Sequence, residues 1–241
     1  MKNYLVYPCK SMKITQNHTD GNHYKHTNGR PADYPFDEAG VNSGRDWFYC
    51  PCDEMKIVKI YTAGVNTVWM ESTKPVVMPI GTANVTIMVE HMNDDDMKLL
   101  SVGRIYRRGE KMFREGKDGA TGNHFHISIA LGKTKGGGWK KNSNGAWVLT
   151  TDDIAVKADE ALFLDGTSFI KSAGYKFINK PKEEKPVAKM DNNPDKYAVK
   201  AVEWAKKEGI LKGDDDGNLR LHDPITRQDV VVMLYRENGG K

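Results

Sequence analysis

Two histidines, His124 and His126, stand two positions apart in segment 121–131, where apolar and small residues alternate. Alternation with a period of two predicts a β-strand, whose successive side chains point to opposite faces. His124, His126 and Ser128 then share one face. Because alternate residues on a strand lie roughly 6.5–7 Å apart, the two imidazoles can converge on a metal ion and its water. The alternative is a pair of polar residues on the exposed face of an edge strand.

The remaining histidines favour the metal interpretation, since six of the seven in the chain lie between positions 18 and 126. Segment 18–44 is polar, and turn-forming pairs such as Asp-Gly and Asn-Gly are dense in it. It supplies imidazole and carboxylate groups, the ligand types of a hydrolytic zinc site. The candidates in this segment are His18, His23, His26, Asp33 and Asp37.

Composition excludes several classes of protein. The formal net charge is only +4 over 241 residues, whereas proteins that bind nucleic acid usually carry a concentrated basic surface. No apolar run approaches the roughly 20 residues that span a membrane, and we expect no secretory signal at the start. Three cysteines are too few for a disulfide scaffold. We expect Cys50 and Cys52 to be small buried thiols, with a zinc-thiolate site as the alternative.

Several short alternating segments predict a mainly β, antiparallel domain. They lie at 12–17, 55–61, 67–70 and 85–91. His91 falls in phase with the apolar residues of its strand, which by itself indicates a hydrogen-bonded core or edge histidine. The acidic run 94–96 is interpreted as a solvated turn.

Three regions are predicted: a β domain at 1–178, a linker at 179–193 and a small helical unit at 194–241. The linker combines proline and charge with few large apolar residues, so it cannot build a core. In the last region Ala198, Ala201, Val202 and Ala205 follow helical spacing, and Gly209 is placed to end that helix. A second helix is predicted from Thr226, with Val230, Val231 and Leu234 as its apolar stripe.

The segment Thr-Gly-Asn-His-Phe-His-Ile-Ser at 121–128 resembles the Thr-Gly-x-His-Leu-His-Phe-Glu signature of lysostaphin-type zinc endopeptidases, which cut peptide bonds in peptidoglycan. The glycine-punctuated approach through Gly103, Gly109, Gly116 and Gly119 resembles that family too. The resemblance covers roughly residues 10 to 131. It implies an antiparallel β-sheet peptidase domain, Zn²⁺ as the cofactor and peptidoglycan peptides as the substrate.

The resemblance also implies roles for individual residues. It implies that His126 is a zinc ligand, that His124 is the general base and that His91, in His91-Met92, is a further catalytic histidine. The family's remaining ligands form His-x-x-x-Asp, a spacing that this chain lacks. His26 with Asp37 is the preferred pair. His23 and His18 remain open as alternatives to His26, and Asp33 as the alternative to Asp37.

Residues 194–241 resemble a surface-layer-homology repeat, through Gly-Ile-Leu-Lys-Gly-Asp at 209–214 and Ile-Thr-Arg-Gln-Asp at 225–229. Such repeats bind secondary polymers of Gram-positive walls. The expected function is therefore a zinc endopeptidase of peptidoglycan acting as a phage endolysin, made in the host cytoplasm without a signal peptide and acting on the wall. The alternatives are a catalytically inactive relative that binds the wall or activates a partner, and a structural metal-binding protein.

Overall fold

A computed structural model describes most of the chain, and its two compact units are Met1–Pro181 (unit 1) and Lys182–Lys241 (unit 2). Side chains are described in residues 2–18, 34–41, 44–134, 155–171, 174–183, 190–214, 217–225, 227–228 and 230–235, and the backbone alone at 139–141, 147–149, 229 and 236–237. The predicted ligands His23, His26 and Asp33 therefore lie outside the described residues. The domain boundaries predicted at 178 and 194 stay a prediction.

Unit 1 consists mainly of β-strands. Its described strands are β1 (Ser11–Asn17), β2 (Phe36–Gly40), β3 (Trp47–Tyr49), β4 (Glu54–Tyr61), β5 (Thr67–Ser72), β6 (Val76–Met78), β7 (Gly81–Ala83), β8 (Val85–Glu90), β9 (Ile105–Arg107), β10 (Lys111–Arg114), β11 (Phe125–Leu131), β12 (Trp139–Lys141), β13 (Trp147–Leu149), β14 (Ala155–Val156), β15 (Phe163–Leu164), β16 (Phe169–Ile170) and β17 (Ile178–Asn179). Its described helices are α1 (Asp94–Met97) and α2 (Ala158–Ala161).

The main sheet has the strand order β16-β1-β2-β11-β8-β5-β4-β9, with β14 also paired to β11. Every pairing in it is antiparallel except that of β1 with β16. The predicted mainly β, antiparallel fold is thus confirmed. The alternating segments predicted at 12–17, 55–61 and 67–70 correspond to β1, β4 and β5.

The alternation of β11 separates its two faces as the sequence indicates. Phe125, Ile127 and Ile129 are buried in the large hydrophobic core, which also takes apolar side chains from β4, β5 and β8. Burying one such side chain contributes about 1.5–3 kcal/mol. Because a slip of one residue would exchange the two faces, this core fixes the register of β11 against its neighbours. The opposite face of the strand carries His126 and Ser128, and farther along it Ala130 packs into a second, smaller hydrophobic cluster with Trp69 and Met88.

Two local predictions were wrong. His91 does not continue the phase of β8, because the strand ends at Glu90 and His91 has a left-handed backbone with φ of 77°. The acidic run at 94–96 forms α1 instead of a solvated turn. Asp96 in that helix is buried and pairs with Arg45 and Arg114, which lie far away in the sequence. The cysteines follow expectation, since Cys50 and Cys52 are buried free thiols.

Unit 2 contains the helices α3 (Val199–Lys207) and α4 (Arg227–Glu237). Gly209 lies just beyond α3 with φ of 69°, as its predicted role at a helix end requires. The predicted stripe of α4 is present but not buried: Val231 is 63% exposed, and Val230 and Leu234 are exposed as well. None of the described helices in either unit has the length and hydropathy to cross a membrane.

Candidate metal centre

A row of polar side chains crosses three neighbouring strands of the main sheet. His126 of β11 is paired directly with Asp37 of β2 on one side and with Glu90 of β8 on the other. Directly paired residues of an antiparallel sheet project from the same face, with Cβ atoms about 4.5–5.5 Å apart. The register of the sheet therefore brings together three groups that are distant in the chain. Asp37 and Glu90 are 53 residues apart, and Glu90 and His126 are 36 residues apart.

His126 and Asp37 are in direct contact in this row. The Nδ1 atom of His126 lies 3.1 Å from Oδ1 of Asp37, and both side chains are largely buried. On the other edge of the ring, Nε2 lies 3.4 Å from the hydroxyl oxygen of Ser128. The His126 ring is thus held at both nitrogens, with Nδ1 directed toward the carboxylate.

His124 presents a different ring atom to the site. Its Nδ1–H donates a hydrogen bond of 2.9 Å to the carbonyl oxygen of Gly122. Since a carbonyl can only accept, Nδ1 carries a proton, and in the neutral ring the lone pair is then on Nε2. That Nε2 atom lies 3.8 Å from Oδ2 of Asp37. His124 and His126, which share a strand face, therefore approach the same carboxylate through different nitrogens.

His91 completes the cluster from the end of β8. Its ring lies 4.4 Å from that of His124 and 6.1 Å from that of His126, between centroids. Its Nδ1–H donates to the carbonyl oxygen of Asp118 at 2.7 Å, which leaves its lone pair on Nε2 too. Burial, aided by His126 and His124, lowers the pKa of His91 to about 4. His91 is therefore neutral at neutral pH.

The left-handed backbone of His91 is held by neighbouring main-chain groups. Its N–H donates to the carbonyl of Asn66, and its carbonyl accepts from the N–H of Asp118. Asn66 is itself fixed, because its side chain donates to the Met92 carbonyl at 2.9 Å and to Asp94 at 2.8 Å. These bonds offset the cost of a positive φ in a residue other than glycine, about 1–3 kcal/mol.

Gly116 lies between the backbones of His91 and His124 and contacts both. Its carbonyl accepts the N–H of His124 at 2.9 Å. A Cβ atom at position 116 would lie 2.4 Å from the carbonyl oxygen of His91 and 2.5 Å from the amide nitrogen of Asn93. Only glycine permits this close backbone approach. The glycine at this position in the segment before β11 thus lets the backbones of His91 and Asn93 pack directly against it.

The sequence-predicted site residues are thus partly brought together. His91, His124, His126 and Asp37 form one cluster. His26, its alternative His23, and Asp33, the alternative to Asp37, lie outside the described residues. His18 contacts the Tyr34 ring, with 5.4 Å between ring centroids.

Sequence reasoning missed Glu90. Ligand atoms of Glu90, His91 and His126 all lie within 4.8 Å of one another, and across the described ranges they form the set of three that could hold a metal ion. The signal that could have found Glu90 is a carboxylate at the end of an apolar strand, beside a candidate catalytic histidine. Glu90, His91 and His126 supply oxygen and nitrogen donors of the kinds that suit a divalent ion.

Comparison with known proteins finds similarity to a family model and to solved structures. Residues 190–231 match the model of the S-layer homology domain. The chain is also similar to a solved structure described as a zinc-containing peptidase from Vibrio cholerae, with a TM-score of 0.37 and 16% sequence identity. That alignment covers 54% of this chain and 37% of the Vibrio chain, so it spans little more than a third of the latter. No curated protein sequence matches the chain.

Proposed function

We propose that unit 1 is a zinc-dependent endopeptidase that hydrolyses peptide bonds in bacterial peptidoglycan. The observation that carries this proposal is the convergence of His126 and Asp37, 3.1 Å apart, with the imidazoles of His91 and His124 beside them. The resemblance of segment 121–128 to the lysostaphin-type signature supports the same reaction and substrate class.

The residues fit a zinc ion. In a tetrahedral site with bonds of 2.0–2.2 Å, neighbouring ligand atoms are about 3.3–3.6 Å apart. The 3.1 Å between His126 Nδ1 and Asp37 Oδ1 is close to that spacing. These two residues would hold the ion, together with a third ligand for which we propose His26. When bound, zinc lowers the pKa of a coordinated water toward ~7 and polarises the scissile carbonyl.

The other two histidines are proposed to move protons. His124 and His91 each keep Nδ1–H on a backbone carbonyl and present the lone pair of Nε2. Such a nitrogen can accept the proton released by an attacking water and return it to the nitrogen of the departing amine. We assign the first task to His124, whose Nε2 lies near Asp37, and the supporting catalytic role to His91.

Unit 2 is proposed to bind a secondary cell-wall polymer. This rests on the match of residues 190–231 to the S-layer homology domain, a domain associated with the cell surface. A peptidoglycan endopeptidase joined to a wall-binding unit has the two parts of a phage endolysin, and this is the biological role that we propose. Wall attachment would keep the enzyme close to a polymeric substrate, which raises its effective concentration there.

Mass analysis of peptidoglycan digests tests this proposal. Purified walls treated with the full chain should release fragments in which one peptide bond has gained water and a new amino terminus. A chelator should stop the release, and added Zn²⁺ should restore it. The His222→Ala variant, altered at a histidine of unit 2, should cleave soluble wall peptides like the wild type. Binding to walls with no new amino termini would contradict the proposal and favour an inactive wall-binding protein.

A further inference from the structure

Glu90 occupies a position in the polar row that neither the resemblance nor the metal ligands proposed above account for. It is the last residue of β8 and is paired with His126. Its side chain therefore projects from the same face as His126, away from the large hydrophobic core that receives Val89. With 8% of its surface exposed, Glu90 is a nearly buried carboxylate beside two imidazoles.

The geometry favours a role for this carboxylate in holding a cation. One carboxylate oxygen of Glu90 lies within 4.8 Å of a ring nitrogen of His91 and of one of His126. Asp37 flanks the opposite side of His126.

We propose that Glu90 supplies a carboxylate oxygen to the metal centre, beside His126 and His91. This inference rests on the proposed zinc site. Asp37 and Glu90 lie on strands separated by β11, with neighbouring strands about 4.7–4.9 Å apart. The glutamate side chain places this carboxylate one methylene farther from β8 than an aspartate would.

Zinc affinity of the apo full-length chain, measured by competition with a chromophoric chelator, tests the inference. Glu90→Gln keeps the shape and removes the charge, and it should weaken zinc binding at least about tenfold, as loss of supporting groups at metal sites does. Glu90→Asp keeps the charge and shortens the side chain, so it should weaken zinc binding to a similar extent. The matched control is Glu71→Gln, which changes a 6% exposed glutamate on the same sheet face, paired with Thr86 of β8.

The outcomes are distinct. Weak binding by both Glu90 variants, with wild-type affinity in Glu71→Gln, supports direct coordination. Wild-type affinity in Glu90→Gln overturns the inference and leaves the proposed peptidase intact. Wild-type affinity in Glu90→Asp alone also overturns it, because a negative charge would then suffice wherever the carboxylate lies. If the wild-type chain binds no zinc, the proposed zinc peptidase is itself contradicted, and the inference about Glu90 falls with it. Thermal unfolding of each apo variant verifies that it is folded.

Discussion

Replacement of Gly116 by alanine tests how the site is held together. The added methyl would lie 2.4 Å from the His91 carbonyl oxygen and 2.5 Å from the Asn93 nitrogen. Close contacts between carbon and oxygen are about 3.3–3.6 Å. One of the two segments must therefore move by about 1 Å. Because Gly116 also accepts the N–H of His124, the movement affects both histidines that we propose to transfer protons.

The magnitude follows from these contacts. Overpacking in a tightly packed region costs about 1–3 kcal/mol of stability. A misplacement of about 1 Å can cost about 10²-fold in rate. Gly116→Ala should therefore lose about 1–3 kcal/mol in the free energy of unfolding and a large part of the hydrolysis rate. Zinc affinity should change little, because Asp37 and His126 are held by the register of β2 and β11.

Gly44→Ala is the matched control, since a Cβ at position 44 has no atom within 4 Å. It should stay within about 0.5 kcal/mol of the wild type, as surface substitutions usually do. Chemical denaturation gives the free energy of unfolding, and release of amino groups from purified walls gives the rate. Wild-type stability and rate in Gly116→Ala would refute the account of how His91 and His124 are positioned.

Two further predictions concern hydrogen bonds. Asn66→Ala removes the donors to the Met92 carbonyl and to Asp94; chemical denaturation should show a loss of about 1–3 kcal/mol, and unchanged stability would contradict this. In unit 2, Asp191 raises the pKa of His222, while His222 lowers the pKa of Asp191. The His222 N–H donates to Asp191, so this amide should be protected from hydrogen exchange. The protection should be lost as pH rises through the raised His222 pKa, and also as pH falls through the lowered Asp191 pKa. Hydrogen exchange of the full chain measures it; an equal pH profile in His222→Gln would contradict the interpretation.

The sequence predicts the strand on which His126 lies, but it does not predict which distant residues join it in the site. Alternation in β11 gives the shared face of His124 and His126, because burial of Phe125 and Ile127 enforces it. The position of His91 could not be read in this way, since its left-handed backbone breaks the alternation of β8.

Long-range pairings explain the other differences. Asp96 is buried because Arg45 and Arg114 reach it from distant segments, and no local pattern indicates those partners. Glu90 joins the site only through the register of β8 with β11. Register depends on packing of whole strands against one another, which a linear pattern does not specify. The choice of His26 stays a prediction.

Zinc content and hydrolysis of two single variants test the central claim most directly. We assign His126 to the metal and His124 to proton transfer. After loading with Zn²⁺ and gel filtration, His126→Ala should retain no bound zinc and release no amino groups from purified walls. His124→Ala should retain zinc like the wild type and lose hydrolysis. Full zinc content in His126→Ala, or loss of zinc from both variants, would contradict the account.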